Sequence, residues 1–218
     1  MLGPLAVWTD HGEQVTISGR QVRALMADLL VHDGHSVSAD RLVEDLWGDT
    51  APADPTAALH VRVSQLRRAL AGAEPGGREL VASEPPGYKL RAGPDAVDAV
   101  RFTTLVQQAL GSTDPRTRTG LLAEALSLWR GPALADFADE EFARPAVARW
   151  EEQRLAAVEA YAEARLDLGE HRELVGELGE HVHQHPYRER LRAAHMRALY
   201  RAGRTGRLCT ASRSCGTG

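Results

Sequence analysis

The chain has 218 residues, 43% hydrophobic and only 5% aromatic, with 30 acidic side chains against 26 basic ones and a formal charge of -4. That hydrophobic share builds cores and excludes disorder along most of the chain, while the scarcity of aromatics argues against stacking on single-stranded bases as the main activity. Taken globally, the acidic excess argues against nucleic acid as a partner, but it says nothing of local patches.

Residues 5–8 and 14–17 predict two short strands around a turn. A helix follows over residues 19–33, where Val22, Leu25, Met26, Leu29 and Leu30 recur at helical spacing, and Gly34 stops it. Val37 is an extended link. Ser38 is placed to cap a second helix carrying Leu42, Val43, Leu46 and Trp47, which Gly48 ends. After a loop from Asp49 to Asp54, Pro55 opens a third helix that runs to about Ala71. Its Leu59, Val63, Leu66 and Leu70 form one narrow stripe. His60, Val61, Ser64, Gln65 and Arg68 point away from that stripe, and Arg62 and Arg67 flank it. Between Pro55 and Ala73 there are three arginines and no acid. Residues 80–82 and 88–90 predict a hairpin around Ser83-Glu84-Pro85-Pro86-Gly87. Helix, turn, basic helix and hairpin, in that order, are the layout of a winged helix, whose recognition helix enters the major groove beside a β-wing.

From residue 95 the pattern is almost entirely helical: 100–110, 121–129, a long helix from about Pro145 to 168, then a pair at 171–183 and 186–201. Gly169 and Gly203 close similar segments 34 residues apart, the period of tetratricopeptide repeats. Residues 204–218 lose all periodicity and supply no helix to cover the last repeat's apolar face. The expected division is a winged-helix domain over 1–93, a shortened helical-repeat domain over 95–204 and a disordered tail over 205–218. The expected fold is therefore mainly α with a small β component.

His181, His183 and His185 carry ligand chemistry, but helical spacing separates His183 from the other two, and a solvated turn is the better reading. No metal or cofactor is expected. There is no phosphate-binding Gly-x-x-x-x-Gly-Lys loop, Rossmann glycine pattern or Gly-x-Ser-x-Gly elbow, so no enzyme is expected. The acidic runs at 139–141 and 151–152 read as solvated helix faces. Trp129-Arg130-Gly131-Pro132 reads as a helix stop with a buried Trp. No leader peptide pattern opens the chain, and no stretch approaches the roughly 18 apolar residues of a membrane span. Cys209 and Cys215 imply no disulfide framework. A cytoplasmic protein acting at the bacterial nucleoid, with no membrane contact, is expected.

Several motifs resemble the Streptomyces antibiotic regulatory protein (SARP) family of actinobacterial transcriptional activators. They are Leu2-Gly3-Pro4-Leu5, residues 41–48 (RLVEDLWG), residues 58–70 (ALHVRVSQLRRAL), Pro85-Pro86-Gly87-Tyr88, residues 125–137 (ALSLWRGPALADF) and residues 185–191 (HPYRERL). The resemblance implies an OmpR-type winged helix followed by a tetratricopeptide-like bacterial transcriptional activator domain. It also implies binding to direct repeats in promoters of secondary-metabolite genes, head-to-tail protomers on DNA, and recruitment of RNA polymerase with its sigma factor. In OmpR-type proteins the loop before the recognition helix touches polymerase, which marks Asp49 and Asp54. Two positions depart from the family: Glu84 stands where the wing usually carries a base, and Gln65 where many relatives have arginine.

On this reading His60, Arg62, Ser64, Gln65 and Arg67 face the groove or its edges. Arginine would read guanine and Gln65 could read adenine, each bidentate contact being worth about 1–3 kcal/mol. Arg68, Lys89, Arg20 and Arg23 are candidates for phosphates, and about four phosphate contacts correspond to a salt slope near -4. The alternatives are a helical-repeat adaptor that binds protein, and an inactive, truncated or frame-shifted regulator.

Overall fold

The computed structural model describes residues 1–203; Cys209, Cys215 and the segment expected to be a disordered tail lie outside the described residues. Among the described residues, eight α-helices and three short strands make a mainly α chain. The chain divides into two compact units, and neither is contiguous in sequence. The first comprises Met1–Arg101 with Trp129–Glu151, the second Phe102–Leu128 with the described residues from Glu152 onward.

In the first unit, α1 (Arg20–Val31), α2 (Ala39–Trp47) and α3 (Pro55–Ala73) pack on one another. The apolar spacing of α1 buries Val22, Leu25, Met26 and Leu29, and α2 contributes the fully buried Leu42. Ser38 caps α2 by accepting from the Arg41 N–H at 3.2 Å, and Gly48 ends it at φ 49°. A small antiparallel sheet has the order β1 (Val37–Ser38), β3 (Gly87–Leu90), β2 (Val81–Glu84). Val37 faces Tyr88, Ser38 faces Gly87 and Ser83 faces Tyr88. The β1–β3 crossing requires glycine at 87, because a Cβ there would stand 1.8 Å from the Val37 carbonyl oxygen.

The strands expected at 5–8 and 14–17 reduce to one isolated bridge between Trp8 and Gln14. Across the expected pair only Val15 N–H to Val7 O and Thr9 N–H to Glu13 O form among the described residues, both at 2.9 Å, while Leu5 and the residues before it are engaged by another segment. Leu2 O accepts from Arg130 N–H at 2.7 Å, Met1 O from Leu134 N–H at 2.9 Å, and Leu5 N–H donates to Asp136 Oδ2 at 3.0 Å. The Trp129–Glu151 segment thus clasps the chain start. Arg130 also stacks over Trp8, 4.6 Å from its ring, whereas Trp129 is half-buried rather than buried as expected.

One charged group lies fully inside this unit. Asp28 on α1 is completely buried, with His32 Nδ1 2.9 Å from its carbonyl oxygen and 3.2 Å from Oδ1. The Asp28 carboxylate holds the His32 pKa above its ordinary value of 6.5. Asp45 on α2 accepts from Arg41 Nε at 2.8 Å; burial raises its pKa, against the opposing pull of that arginine.

The second unit is helical. The elements contributing to it are the later part of α4 (Asp98–Gly111), α5 (Pro115–Ser127), the later part of α6 (Arg144–Asp167), α7 (His171–Gln184) and α8 (Glu189–Arg201). α5 begins six residues before the expected 121. Residues 115–120 lack apolar periodicity, but Asp114 caps the helix by accepting from Thr117 N–H at 2.9 Å, and Pro115 occupies its first turn. α8 begins at Glu189 rather than at Pro186: residues 186–187 form a turn and Arg188 is extended, while Pro186 restricts His185 and so ends α7 at Gln184. Val158, Ala162, Leu166, Leu174, Leu178, Leu191, Ala194 and Leu199 share one core. The 34-residue spacing is visible in the backbone: Gly169 and Gly203 both adopt positive φ, 87° and 72°, just after α6 and α8. No described helix is long and apolar enough to cross a membrane.

Candidate nucleic-acid interface

The site is built on α3. Asp54 starts it by accepting from Ala57 N–H at 2.9 Å, and Pro55 tolerates the first turn. Leu59, Val63, Leu66 and Leu70 are at most 3% exposed, so the apolar stripe seats the helix as expected. That fixes the opposite face: His60, Val61, Ser64, Gln65 and Arg68 are exposed, with Arg62 and Arg67 half-buried at its margins.

Each arginine is held differently. Arg62 donates from Nε to Gln21 Oε1 at 3.1 Å and from Nη1 to Gln65 Oε1 at 3.0 Å. Arg67 turns toward the wing, donating to Val81 O at 2.8 Å and to Ser83 Oγ at 2.9 Å, and lies 5.8 Å from the Tyr88 ring centroid. His60 meets the same ring edge-on at 6.4 Å. Tyr88 is buried between them, so it joins the wing to the recognition helix. Arg68 has no hydrogen-bond or ion-pair partner among the described residues.

The remaining expected residues scatter. Arg20 borders an open groove of about 590 Å³ together with Thr16, Ser18, Gln21, Arg62, Gln65 and Arg68, while pairing with Glu140. Arg23 is drawn away from this face to Asp136 at 2.5 Å and the Leu5 carbonyl at 3.2 Å. Lys89, on β3, stands 3.9 Å from Glu84. Asp49 is exposed just after α2, and Asp54 is engaged in capping α3. Gln21 and Tyr88 were not among the expected site residues. Tyr88 was signalled by the Pro-Pro-Gly-Tyr motif, but nothing local in the sequence marks Gln21, whose partner is 41 positions away.

Among the described residues no three His, Cys, Asp or Glu side chains gather as metal ligands. His181 is half-buried, and burial lowers its pKa.

Residues 12–90 match the family described as "Transcriptional regulatory protein, C terminal", and residues 97–209 match the "Bacterial transcriptional activator domain". The chain is 38% identical to the transcriptional regulator RedD of Streptomyces coelicolor, over 94% of this chain and 60% of that protein. It is 34% identical to the regulatory protein DnrI of Streptomyces peucetius, over 94% of this chain and 78% of that protein. Of the regulatory protein AfsR of Streptomyces coelicolor it spans 20%, at 37% identity over 94% of this chain. The solved structure of Mycobacterium tuberculosis EmbR, in complex with a low-affinity phosphopeptide, superimposes with a TM-score of 0.91 at 31% identity, over 98% of this chain and 57% of that one. With an OmpR-type winged helix, a bacterial transcriptional activator domain and these relatives, the chain belongs to the SARP family of transcriptional regulators.

Proposed function

We propose that this chain is a sequence-specific activator of secondary-metabolite genes, reading duplex DNA through α3. The observation that carries the reading is the charge state of that helix: three arginines, no acid, and hydrogen bonds only to uncharged oxygens. α3 enters the major groove, with His60, Arg62, Ser64 and Gln65 toward the bases. Arg67 acts by fixing the wing. Arg68 meets a phosphate directly, Arg20 and Lys89 exchange Glu140 and Glu84 for phosphates, and Arg23, tied to both Asp136 and the Leu5 carbonyl, serves the fold. Protomers bind promoter direct repeats head to tail, in the cytoplasm at the nucleoid. The exposed Asp49 and the helical second unit contact RNA polymerase and its sigma factor. Exposed Tyr187, Met196 and Tyr200 favour a protein-binding surface on that unit, which an adaptor without DNA binding would use as well.

The test is to select bound duplexes from a random pool and then measure transcription from the selected site with the cognate polymerase. An enriched motif in direct repeat and increased transcript are expected; no enrichment at low salt favours the adaptor. Three phosphate contacts give a slope of log affinity against log salt of about -3. A slope near -4 returns Arg23 to the DNA.

A further inference from the structure

Arginine's guanidinium has five N–H donors and no acceptor. Any amide that bonds it must therefore turn its oxygen inward, and the two glutamines beside Arg62 both do so. Gln21, on the first turn of α1, accepts from Nε at 3.1 Å; Gln65, one turn along α3, accepts from Nη1 at 3.0 Å. Two consequences follow from this geometry. Arg62 is fixed from two sides before DNA arrives, so its long side chain loses less conformational freedom on binding. Gln65 has its oxygen turned to a cation and presents its two N–H groups outward. Reading adenine bidentately requires the glutamine oxygen to accept from adenine N6 while its nitrogen donates to N7. With that oxygen on Arg62, the outward edge of the pair consists of donors alone.

We propose that Gln21, Arg62 and Gln65 form one pre-set reading unit that selects consecutive acceptors in the major groove. Guanine, with N7 and O6, faces Arg62, and guanine or thymine faces Gln65. Adenine and cytosine, which project amino donors there, are rejected. Gln21 is then a positioning residue: it lies outside the recognition helix and shapes base choice by holding Arg62. Arg62 sets the fork, and Gln65 extends the donor row to the next base pair. The inference rests on the proposed DNA-reading function and replaces the expectation that Gln65 reads adenine.

The experiment uses the full chain and the duplex selected from a random pool, with single base pairs then replaced. The pair facing Arg62 is the one whose preference Arg62→Ala erases. In the unmodified chain, placing adenine at either contacted position lowers affinity about tenfold. Gln21→Met keeps the side-chain volume and removes the acceptor, and it reduces that discrimination to about twofold. Gln21→Glu keeps an acceptor and retains the discrimination, at lower affinity for every duplex because its carboxylate offsets the Arg62 charge. A purely structural role for Gln21 would weaken binding to all duplexes equally and leave the ratio untouched. A preference for adenine at the Gln65 position, or full discrimination in Gln21→Met, overturns the inference while leaving DNA reading intact. A chain that binds no duplex above background overturns the DNA-reading function itself.

Discussion

Arg62 and Arg67 of α3 rest on uncharged oxygens, whereas Arg165 of α6 and Arg188 and Arg190 at the start of α8 rest on carboxylates. In the first unit the partners are two amides, a backbone carbonyl and a serine hydroxyl. In the second, Arg165 bridges Glu170 and Glu177 at 2.6 Å each, Arg188 meets Glu152 at 2.5 Å, and Arg190 lies 3.1 Å from Glu163. A neutral acceptor fixes a guanidinium's direction and leaves its charge free to attract phosphate. A carboxylate fixes the direction and cancels the charge. On the proposed reading the same residue type serves recognition on α3 and acts as a structural tie where it meets a carboxylate, in the second unit and also at Arg23 and Arg41 of the first. The formal charge of -4 describes neither region.

Converting the first arrangement into the second should have the largest effect. Gln65→Glu would place a carboxylate on Arg62 and a negative charge at the groove. Specific affinity should fall roughly 100-fold, measured by fluorescence anisotropy on the selected duplex. An unchanged affinity would detach Arg62 from DNA reading.

The wing already holds one pair of the second kind. Glu84→Gln should remove the carboxylate beside Lys89 and raise affinity about fivefold, with the salt slope near its original value because the same phosphates are met. An unchanged affinity would mean that Lys89 meets no phosphate.

Arg165→Met should cost about 1 kcal/mol of stability in thermal or urea unfolding, because its partners are partly exposed and regain water. DNA affinity should not move, and a loss there would erase the distinction between the two regions.

The smallest expected effect is opposite pH dependence. His32 in the first unit has a raised pKa, owed chiefly to Asp28. Its stabilising contribution is complete below the ordinary value of 6.5 and is lost as pH rises through the raised value. His181 and His195 in the second unit have pKa values lowered by burial. Their contribution is present above 6.5 and is lost as pH falls below it. Between pH 7.5 and 5.5, amide-exchange protection should therefore rise in α1 and α2 and fall in α7 and α8. Parallel changes in both regions would contradict these assignments.

Much of the first unit was legible because its signals are local. The α3 stripe, the Ser38 cap, the Gly48 stop and the wing hairpin each lie within a few residues of what they determine. The exposed face of α3 followed from its buried one. Three features were not legible, each for a physical reason. The start of α5 is set by a cap and a proline rather than by apolar periodicity. The pairing of Arg62 with Gln21 crosses 41 positions, and side-chain partners at that distance leave no local pattern. The clasp of Trp129–Glu151 on the chain start is made by backbone groups of irregular segments, which carry no periodicity at all.

That clasp has a consequence for how the protein is made. The hydrogen-bond partners of the Met1, Leu2 and Leu5 backbone, two N–H groups and the Asp136 carboxylate, belong to residues 130–136, which the ribosome adds only after the whole wing. At about 5–20 residues per second this is a delay of seconds, long compared with the microseconds in which helices and hairpins form. The recognition helix and wing can thus assemble while the chain start still lacks its partners, and the first unit closes only when synthesis has passed into the other half of the chain. A nascent chain stalled at residue 100 should leave its N-terminus open to protease, and one stalled well beyond residue 151 should protect it.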